Sequence, residues 1–97
     1  MPVFAVTYTY TDDTEARDRH RPAHREFLGA LGDRGINLCS GPFGPEEAAG
    51  ALVLIRADSK EAALGYTDAD PFRVNGVVSA VDAREWIPVL GPLAAHI

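Results

Sequence analysis

Cysteine is almost absent from this sequence, which limits both its redox chemistry and its metal chemistry. Cys39 is the single cysteine among 97 residues. The chain can therefore form no internal disulfide, and it cannot build a structural zinc site from several thiolates. A sequence that uses cysteine so sparingly fits a reducing compartment.

Positive charge and long apolar runs are also scarce. Nine Lys and Arg stand against 14 Asp and Glu, which gives a formal net charge of −5. That balance argues against nucleic acid or an anionic membrane as a partner, although EARDRHRPAHR collects four arginines locally. No apolar segment approaches the roughly 20 residues of a membrane span. The opening MPVFAVTYTY lacks the features of a signal peptide. We therefore expect a cytoplasmic location.

The sequence contains an alternation of strand-like and helix-like segments, with no repeat or linker to divide it. We expect one domain over residues 1–97. β-branched and aromatic residues predict strands at 3–10, 36–41, 51–57 and 76–89, the last bulged near 82–84. A long helix should run from about residue 13 to Gly35, and a second should begin after Ser59 as its cap. The order βαββαβ with right-handed crossovers predicts an α+β, ferredoxin-like fold: a four-stranded antiparallel sheet with two helices on one face.

The long first helix has a defined start but an ambiguous middle. Asp12 followed by Glu15 resembles a capping box. Pro22 removes one backbone hydrogen bond inside the helix, which typically costs about 3 kcal/mol. The helix is therefore either kinked at Pro22 or split into two, with Pro22 opening the second.

Apolar residues occur at both parities of the first, third and fourth strands. Two helices can cover only one face of a four-stranded sheet, so the other face also needs covering. Two copies packed sheet to sheet would cover it and would add stability that a small chain lacks. The sequence therefore predicts a homodimer.

A histidine stands where the first helix should be apolar. The period of 3.6 residues aligns one inward stripe: His20, His24, Phe27, Leu28 and Leu31. His24 is then either a core histidine satisfied by a backbone carbonyl or an acid/base group. His20 and His24 also have the spacing of a metal pair, but no third ligand is evident, so we expect no metal site.

The stretch DADPF offers the histidine a partner. Asp70 before Pro71 is a good helix N-cap followed by a good first helical residue. A cap uses one carboxylate oxygen, and the other remains for a second role. In the predicted fold the two helices lie side by side, so Asp70 could reach the His24 imidazole. Such a pair fixes the tautomer of an acid/base group that works near neutral pH.

Several short motifs together resemble the YciI-like (YCII-related) family. They are RPAH in the first helix, SGP at the end of strand two, DPF followed by NGV before strand four, and REW. The resemblance runs from Phe4 to about Val89. It implies a ferredoxin-like dimeric α/β barrel, in agreement with the element order. Asn75-Gly76 stands where Ala-Gly is common in the family, and Arg25 where an apolar residue is common, which would make the pocket rim more polar.

The resemblance also implies a site. It places a histidine–aspartate pair at His24 and Asp70 and a Gly-Pro pair at Gly41 and Pro42. Beside these residues, Ser40 could donate a hydrogen bond to a substrate, Arg21 could bind an anion, and Phe72 could line the pocket. Each also has a structural interpretation: Ser40 as a strand serine, Arg21 as a solvated arginine and Phe72 as a packing residue.

Three functions follow from these residues and the resemblance. The first is a cofactor-free enzyme of the lyase or isomerase type, in which the His–Asp pair moves a proton next to a carbonyl of a small lactone or ring-cleavage substrate. The second is a non-catalytic module that binds a small molecule or serves as an accessory. The third is a cofactor-free monooxygenase, because those enzymes share the fold, which does not decide between the three.

Overall fold

The computed structural model describes residues 1–97 as a four-stranded sheet with its helices on one face. The strands are β1 (Val3–Tyr10), β2 (Asn37–Pro42), β3 (Gly50–Arg56) and β4 (Val78–Trp86). The helices are α1 (Thr14–Asp33), α2 (Lys60–Thr67) and α3 (Pro71–Val74), and a terminal 3-10 helix spans Pro92–His96. The strand order is β2-β3-β1-β4 with every pairing antiparallel. The predicted α+β, ferredoxin-like fold is confirmed.

The core lies between the sheet and the helices because β1 alternates with a period of two. Phe4, Val6 and Tyr8 point to the same side and are buried. Leu28 and Leu31 of α1 pack against them in one cluster of buried residues. The inward stripe predicted for the first helix is confirmed for His24, Leu28 and Leu31, which are buried, while His20 and Phe27 are partly buried.

Helix α1 runs without a break through Pro22, so the split into two helices is wrong. Asp13, rather than Asp12, caps its start, because the Asp13 carboxylate accepts a hydrogen bond from the Ala16 amide at 3.0 Å. The helix ends before Gly35, whose φ of 73° lies in the left-handed region that glycine adopts without strain. Ser59 caps α2 as predicted, accepting from the Ala62 amide at 3.1 Å.

The fourth strand differs most from its prediction. It is shorter, ending at Trp86 instead of residue 89. Its bulge is not at residues 82–84: Thr9 pairs with Ala80 and Tyr10 with Val78, so Ser79 is the extra residue. Bulges depend on the partner strand as much as on the bulged one, and the β4 sequence alone cannot position them.

The sheet face away from the helices is open to solvent and partly apolar. Leu52 of β3 is 37% exposed and Trp86 of β4 is 42% exposed. None of the helices combines the length and apolar character that crossing a bilayer requires.

Candidate active site

The site begins with the local conformation of Asp70, between α2 and α3. Its Oδ1 accepts a hydrogen bond from the Phe72 amide at 3.0 Å, which caps the short helix α3, and Pro71 occupies the first turn. The predicted cap is confirmed. Because α3 packs against α1, this cap holds a fully buried carboxylate next to the middle of the long helix.

His24 of α1 meets that carboxylate. Its Nδ1 lies 2.8 Å from Asp70 Oδ1 and 3.0 Å from Oδ2. An ionised carboxylate only accepts hydrogen bonds, so the proton of a neutral imidazole belongs on Nδ1. Nε2 is then the nitrogen with a free lone pair. It has no hydrogen bond within the chain and is not fully buried, and His24 lines the main cleft.

Tyr8 completes the arrangement from the sheet. Its hydroxyl donates to Asp70 Oδ2 at 2.8 Å across 62 residues of sequence. Burial, and then the nearby Asp70 carboxylate, raise the pKa of Tyr8 far above its ordinary value, so the phenol remains a neutral donor. Asp70 thus accepts from three groups: an imidazole, a phenol and a backbone amide.

Sequence reasoning did not identify Tyr8 as a site residue. A signal was present, because the alternation of β1 places Tyr8 on the inward face with Phe4 and Val6. A buried phenol almost always has a hydrogen-bond partner. An inward tyrosine in a chain with a predicted inward carboxylate could therefore have suggested the contact.

Aromatic packing fixes the orientation of the imidazole. The Phe72 ring stacks on His24 with centroids 3.8 Å apart and an interplanar angle of 5°. Tyr10 meets Phe72 edge to face at 5.3 Å. These contacts, with the Nδ1 hydrogen bond, leave the imidazole little freedom to rotate.

A cleft of about 910 Å³ opens in front of His24. One wall is α1, and the other is formed by the end of β2 and the loop that leads to β3. The volume lies at the upper end of the range typical of small-molecule sites. The lining mixes polar and apolar residues, and the main side chains are Tyr10, Arg17, Arg21, His24, Arg25, Leu28, Asn37, Ser40, Pro42, Phe43, Glu47 and Phe72.

Residues 1–87 match the YCII-related domain family. The chain belongs to this family. Two proteins called YciI, from Escherichia coli O6:H1 and Shigella flexneri, are each 35% identical to it over 81 residues, which cover 75% of this chain and 83% of the relative.

A solved structure resembles the YCII-related chain in fold. It is 5-chloro-2-hydroxyhydroquinone dehydrochlorinase from Burkholderia phenoliruptrix in complex with 2,5-dihydroxybenzoquinone. The TM-score is 0.72 at 20% sequence identity, covering 87% of this chain and 92% of that chain. At this identity the likeness establishes the fold alone.

In this protein four of the predicted site residues, Arg21, His24, Ser40 and Phe72, line one cleft, and the fifth, Asp70, is buried behind His24. His24, Asp70 and Phe72 form a contacting cluster at the inner end of the cleft. Arg21 and Ser40 lie on opposite walls, and their side-chain hydrogen bonds go to Asp18 and Asn37 instead of to that cluster. The contact between His24 and Asp70 is confirmed, and it excludes the interpretation in which a backbone carbonyl satisfies the imidazole. The chemical roles of all five stay predictions.

Asn37 is a further residue that lines the cleft of this protein, and the sequence analysis did not identify it. Its Nδ2 donates to the Leu28 carbonyl and to Ser40 Oγ, both at 3.1 Å. The contact ties α1 to β2 and fixes the Ser40 side chain at the cleft wall. The Ser40 hydroxyl hydrogen has no acceptor within the chain, so it can donate to a ligand.

The two histidines of α1 do not share a metal-binding set. No three His, Cys, Asp or Glu side chains come close enough together to hold a metal ion. His24 instead uses its Nδ1 for Asp70.

Proposed function

We propose that this YCII-related protein is a cofactor-free enzyme of the lyase or isomerase type, with His24 as its acid/base group. The observation that carries the proposal is the His24 imidazole, held by a buried carboxylate and presenting Nε2 to a cleft. A base must lie within hydrogen-bond reach of the proton it removes. The cleft volume allows a small ring or lactone to approach Nε2.

The chemistry follows from the tautomer. Nε2 removes a proton from a carbon next to a carbonyl of the substrate, which leaves an enolate. Asp70 pairs with the imidazolium that results, while Tyr8 and the Phe72 amide hold the carboxylate in place. The imidazolium then returns the proton at another position, which is isomerisation, or the enolate expels a leaving group such as chloride, which is elimination.

The structural neighbour supports this class of reaction. It is by name a dehydrochlorinase of a hydroxylated ring, and its complex contains a small quinone, 2,5-dihydroxybenzoquinone. An elimination of HCl needs a base for the proton and a leaving group, and of these the protein must supply the base. His24 is the base that this chain offers.

The test compares matched histidine variants on a defined probe. Chloride release from 5-chloro-2-hydroxyhydroquinone and deuterium incorporation into a panel of small lactones are followed for wild type, His24→Gln, Asp70→Asn and the control His20→Gln. Loss of a positioned general base typically costs about 10²–10⁴ in rate. We expect that loss for His24→Gln, a smaller loss for Asp70→Asn and wild-type rates for His20→Gln. Equal losses at both histidines would contradict the proposal.

A binding module without turnover is the second candidate, because a cleft of this volume suits a small ligand whatever its chemistry. Titration with 2,5-dihydroxybenzoquinone separates the two functions. Saturable binding by wild type and His24→Gln alike, with no turnover of any probe by wild type, would favour the module. Oxygen consumption on the same panel would favour the monooxygenase.

A further inference from the structure

Three arginines follow one another along the cleft side of α1. Arg17, Arg21 and Arg25 are spaced four residues apart, and all three line the cleft. They are three of only nine basic residues in a chain with a net charge of −5. The cleft is therefore a positive region on an acidic protein.

Helix stability does not explain this row. Like charges four residues apart destabilise a helix by about 0.2–0.5 kcal/mol per pair. Arg21 has a partner, since its Nη1 lies 2.7 Å from Asp18 Oδ1. Neither Arg17 nor Arg25 forms an ion pair. Residues that destabilise the helix that carries them are typical of a functional surface.

Arg17 is held in place by contacts within the chain. Its guanidinium lies over the Tyr10 ring at 5.2 Å, and Nη2 donates to the Thr11 carbonyl at 2.8 Å. Its charge is thereby fixed beside the cleft. Arg25 is exposed and makes no polar side-chain contact, so its five donors are free for a ligand.

The row has a definite position relative to His24. Arg21 lies three residues and Arg17 seven residues before His24, which places them about one and two helical turns away along the same side. A negative group bound by Arg21 would therefore lie in the same cleft as His24, about one helical turn away along α1. Among the cleft-lining residues the single carboxylate is Glu47, on the loop of the opposite wall.

The apolar residues of the cleft indicate what kind of molecule carries the negative group. Phe43, Pro42, Leu28 and Phe72 provide apolar surface for an organic body. The planar guanidinium fork matches a carboxylate through two parallel hydrogen bonds. We propose that the cleft binds a small organic acid, with its carboxylate on Arg21 and Arg25 and its ring or chain against the apolar wall. That the organic acid is a substrate rests on the proposed function of His24. That the cleft prefers to bind a carboxylate does not.

The test is a binding measurement with two probes of the same ring and nearly the same size, one with a carboxylate and one with a neutral amide in its place. Calorimetric titration at low salt compares 2,5-dihydroxybenzoate with its neutral amide, 2,5-dihydroxybenzamide. We expect the acid to bind wild type at least about tenfold more tightly, as charge-assisted hydrogen bonds predict. The ratio should fall towards one in the double variant Arg21→Gln/Arg25→Gln.

The control double variant is Arg19→Gln/Arg34→Gln, which removes the same charge from two exposed arginines outside the cleft. It should keep the wild-type ratio. All four arginine positions are at or near the surface, and circular dichroism verifies that each variant folds. His24→Gln should also keep the ratio while losing turnover, so failure of the base and failure of the anion site give different results.

Three results would overturn the proposal. One is equal binding of the acid and the amide by wild type. Another is a loss of preference in the Arg19/Arg34 control as large as in the cleft variant. The third is displacement of the acid by inorganic phosphate at equal concentration, which would show a general anion site in place of one for an organic acid.

Discussion

At the scale of single residues, Asp70 combines a structural task and a chemical one. Its Oδ1 caps α3 and also accepts from His24, while its Oδ2 accepts from Tyr8. From the sequence, one oxygen was expected to cap and the other to reach the histidine. In the structure the imidazole lies within hydrogen-bond reach of both oxygens, 2.8 Å from the capping Oδ1 and 3.0 Å from Oδ2, and Oδ2 also accepts from a tyrosine of the sheet.

The Tyr8 hydroxyl should therefore contribute measurably to stability. Removing it in Tyr8→Phe leaves a buried carboxylate oxygen with one donor fewer, which we expect to lower the free energy of unfolding by about 1–3 kcal/mol. Urea unfolding monitored by circular dichroism measures this. The control is Tyr66→Phe, because the Tyr66 ring packs against Arg34, its hydroxyl makes no side-chain hydrogen bond, and its loss should stay within about 0.5 kcal/mol. Equal effects of the two changes would show that the contact with Asp70 contributes nothing.

Tyr8 should also make stability depend on alkaline pH. Burial, and then Asp70, raise the folded-state pKa of Tyr8 above the unfolded value of about 10. The folded state then holds a proton that the unfolded state releases. The stabilising contribution is fully present below pH 10 and is lost as pH rises from there towards the folded pKa.

Urea unfolding between pH 8 and pH 11 should show this loss in wild type. Between pH 10 and pH 11, the free energy of unfolding should fall less steeply in Tyr8→Phe than in wild type. The two slopes should differ by about 1.4 kcal/mol per pH unit at most. Burial, and then Asp70, also raise the pKa of Tyr10. Both proteins should therefore retain the part of the alkaline loss of stability that Tyr10 causes. Parallel pH profiles would argue against a buried, neutral Tyr8.

At the scale of elements, α1 has to stay continuous through Pro22 to position the site. The same helix carries His24 and the arginine row, so a break at Pro22 would separate Arg17 and Arg21 from the base. Packing of Leu28 and Leu31 in the core provides stability that offsets the missing backbone hydrogen bond. The helix is thus maintained by tertiary contacts against a local signal.

Pro22→Ala should consequently stabilise the protein. The change restores an amide donor within the helix and adds a residue of high helix propensity, at a small entropic cost from the more flexible unfolded chain. We expect the free energy of unfolding to rise by about 1–3 kcal/mol, measured by urea unfolding. Pro71→Ala is the matched control, because proline at the first turn loses no helical hydrogen bond and its removal should be neutral or slightly destabilising. If the free energy of unfolding rose equally in both variants, the loss of proline isomers from the unfolded chain would explain the effect, and the restored helical hydrogen bond would not.

At the scale of the whole molecule, one face of the sheet has no helix packed against it. Leu52 and Trp86 are exposed on it, and Leu54 on the same face is half-buried. We propose, as the apolar residues at both parities of the strands predicted, that two copies cover this face by packing sheet to sheet. The cleft with His24 lies on the opposite, helical side.

Light scattering at micromolar concentration should give about twice the chain mass of 10.4 kDa. Leu52→Glu places a charge in the middle of the proposed interface and should shift the protein to monomer, because burying an unpaired charge is costly. Val74→Glu is the control, since Val74 is 67% exposed on α3, on the helical side, and should leave the mass unchanged. A monomeric wild type would remove this proposal.

The sequence by itself determined the element order, the inward stripe of α1 and the cap at Asp70-Pro71. These are properties of contiguous residues: the periods of 3.6 and 2 residues and the local hydrogen bond of a cap act within a few positions of the chain. The motifs that indicated the family are local in the same sense, and they pointed to His24 and Asp70 before any geometry was known.

The tertiary structure alone decided how these segments meet. The register of β4 on β1 placed the bulge at Ser79, and the packing of α3 on α1 laid Phe72 flat on His24. The contact of Tyr8 with Asp70 joins residues 62 positions apart. Such contacts arise from the packing of whole elements, because no local period or cap specifies which distant side chain satisfies a buried polar group.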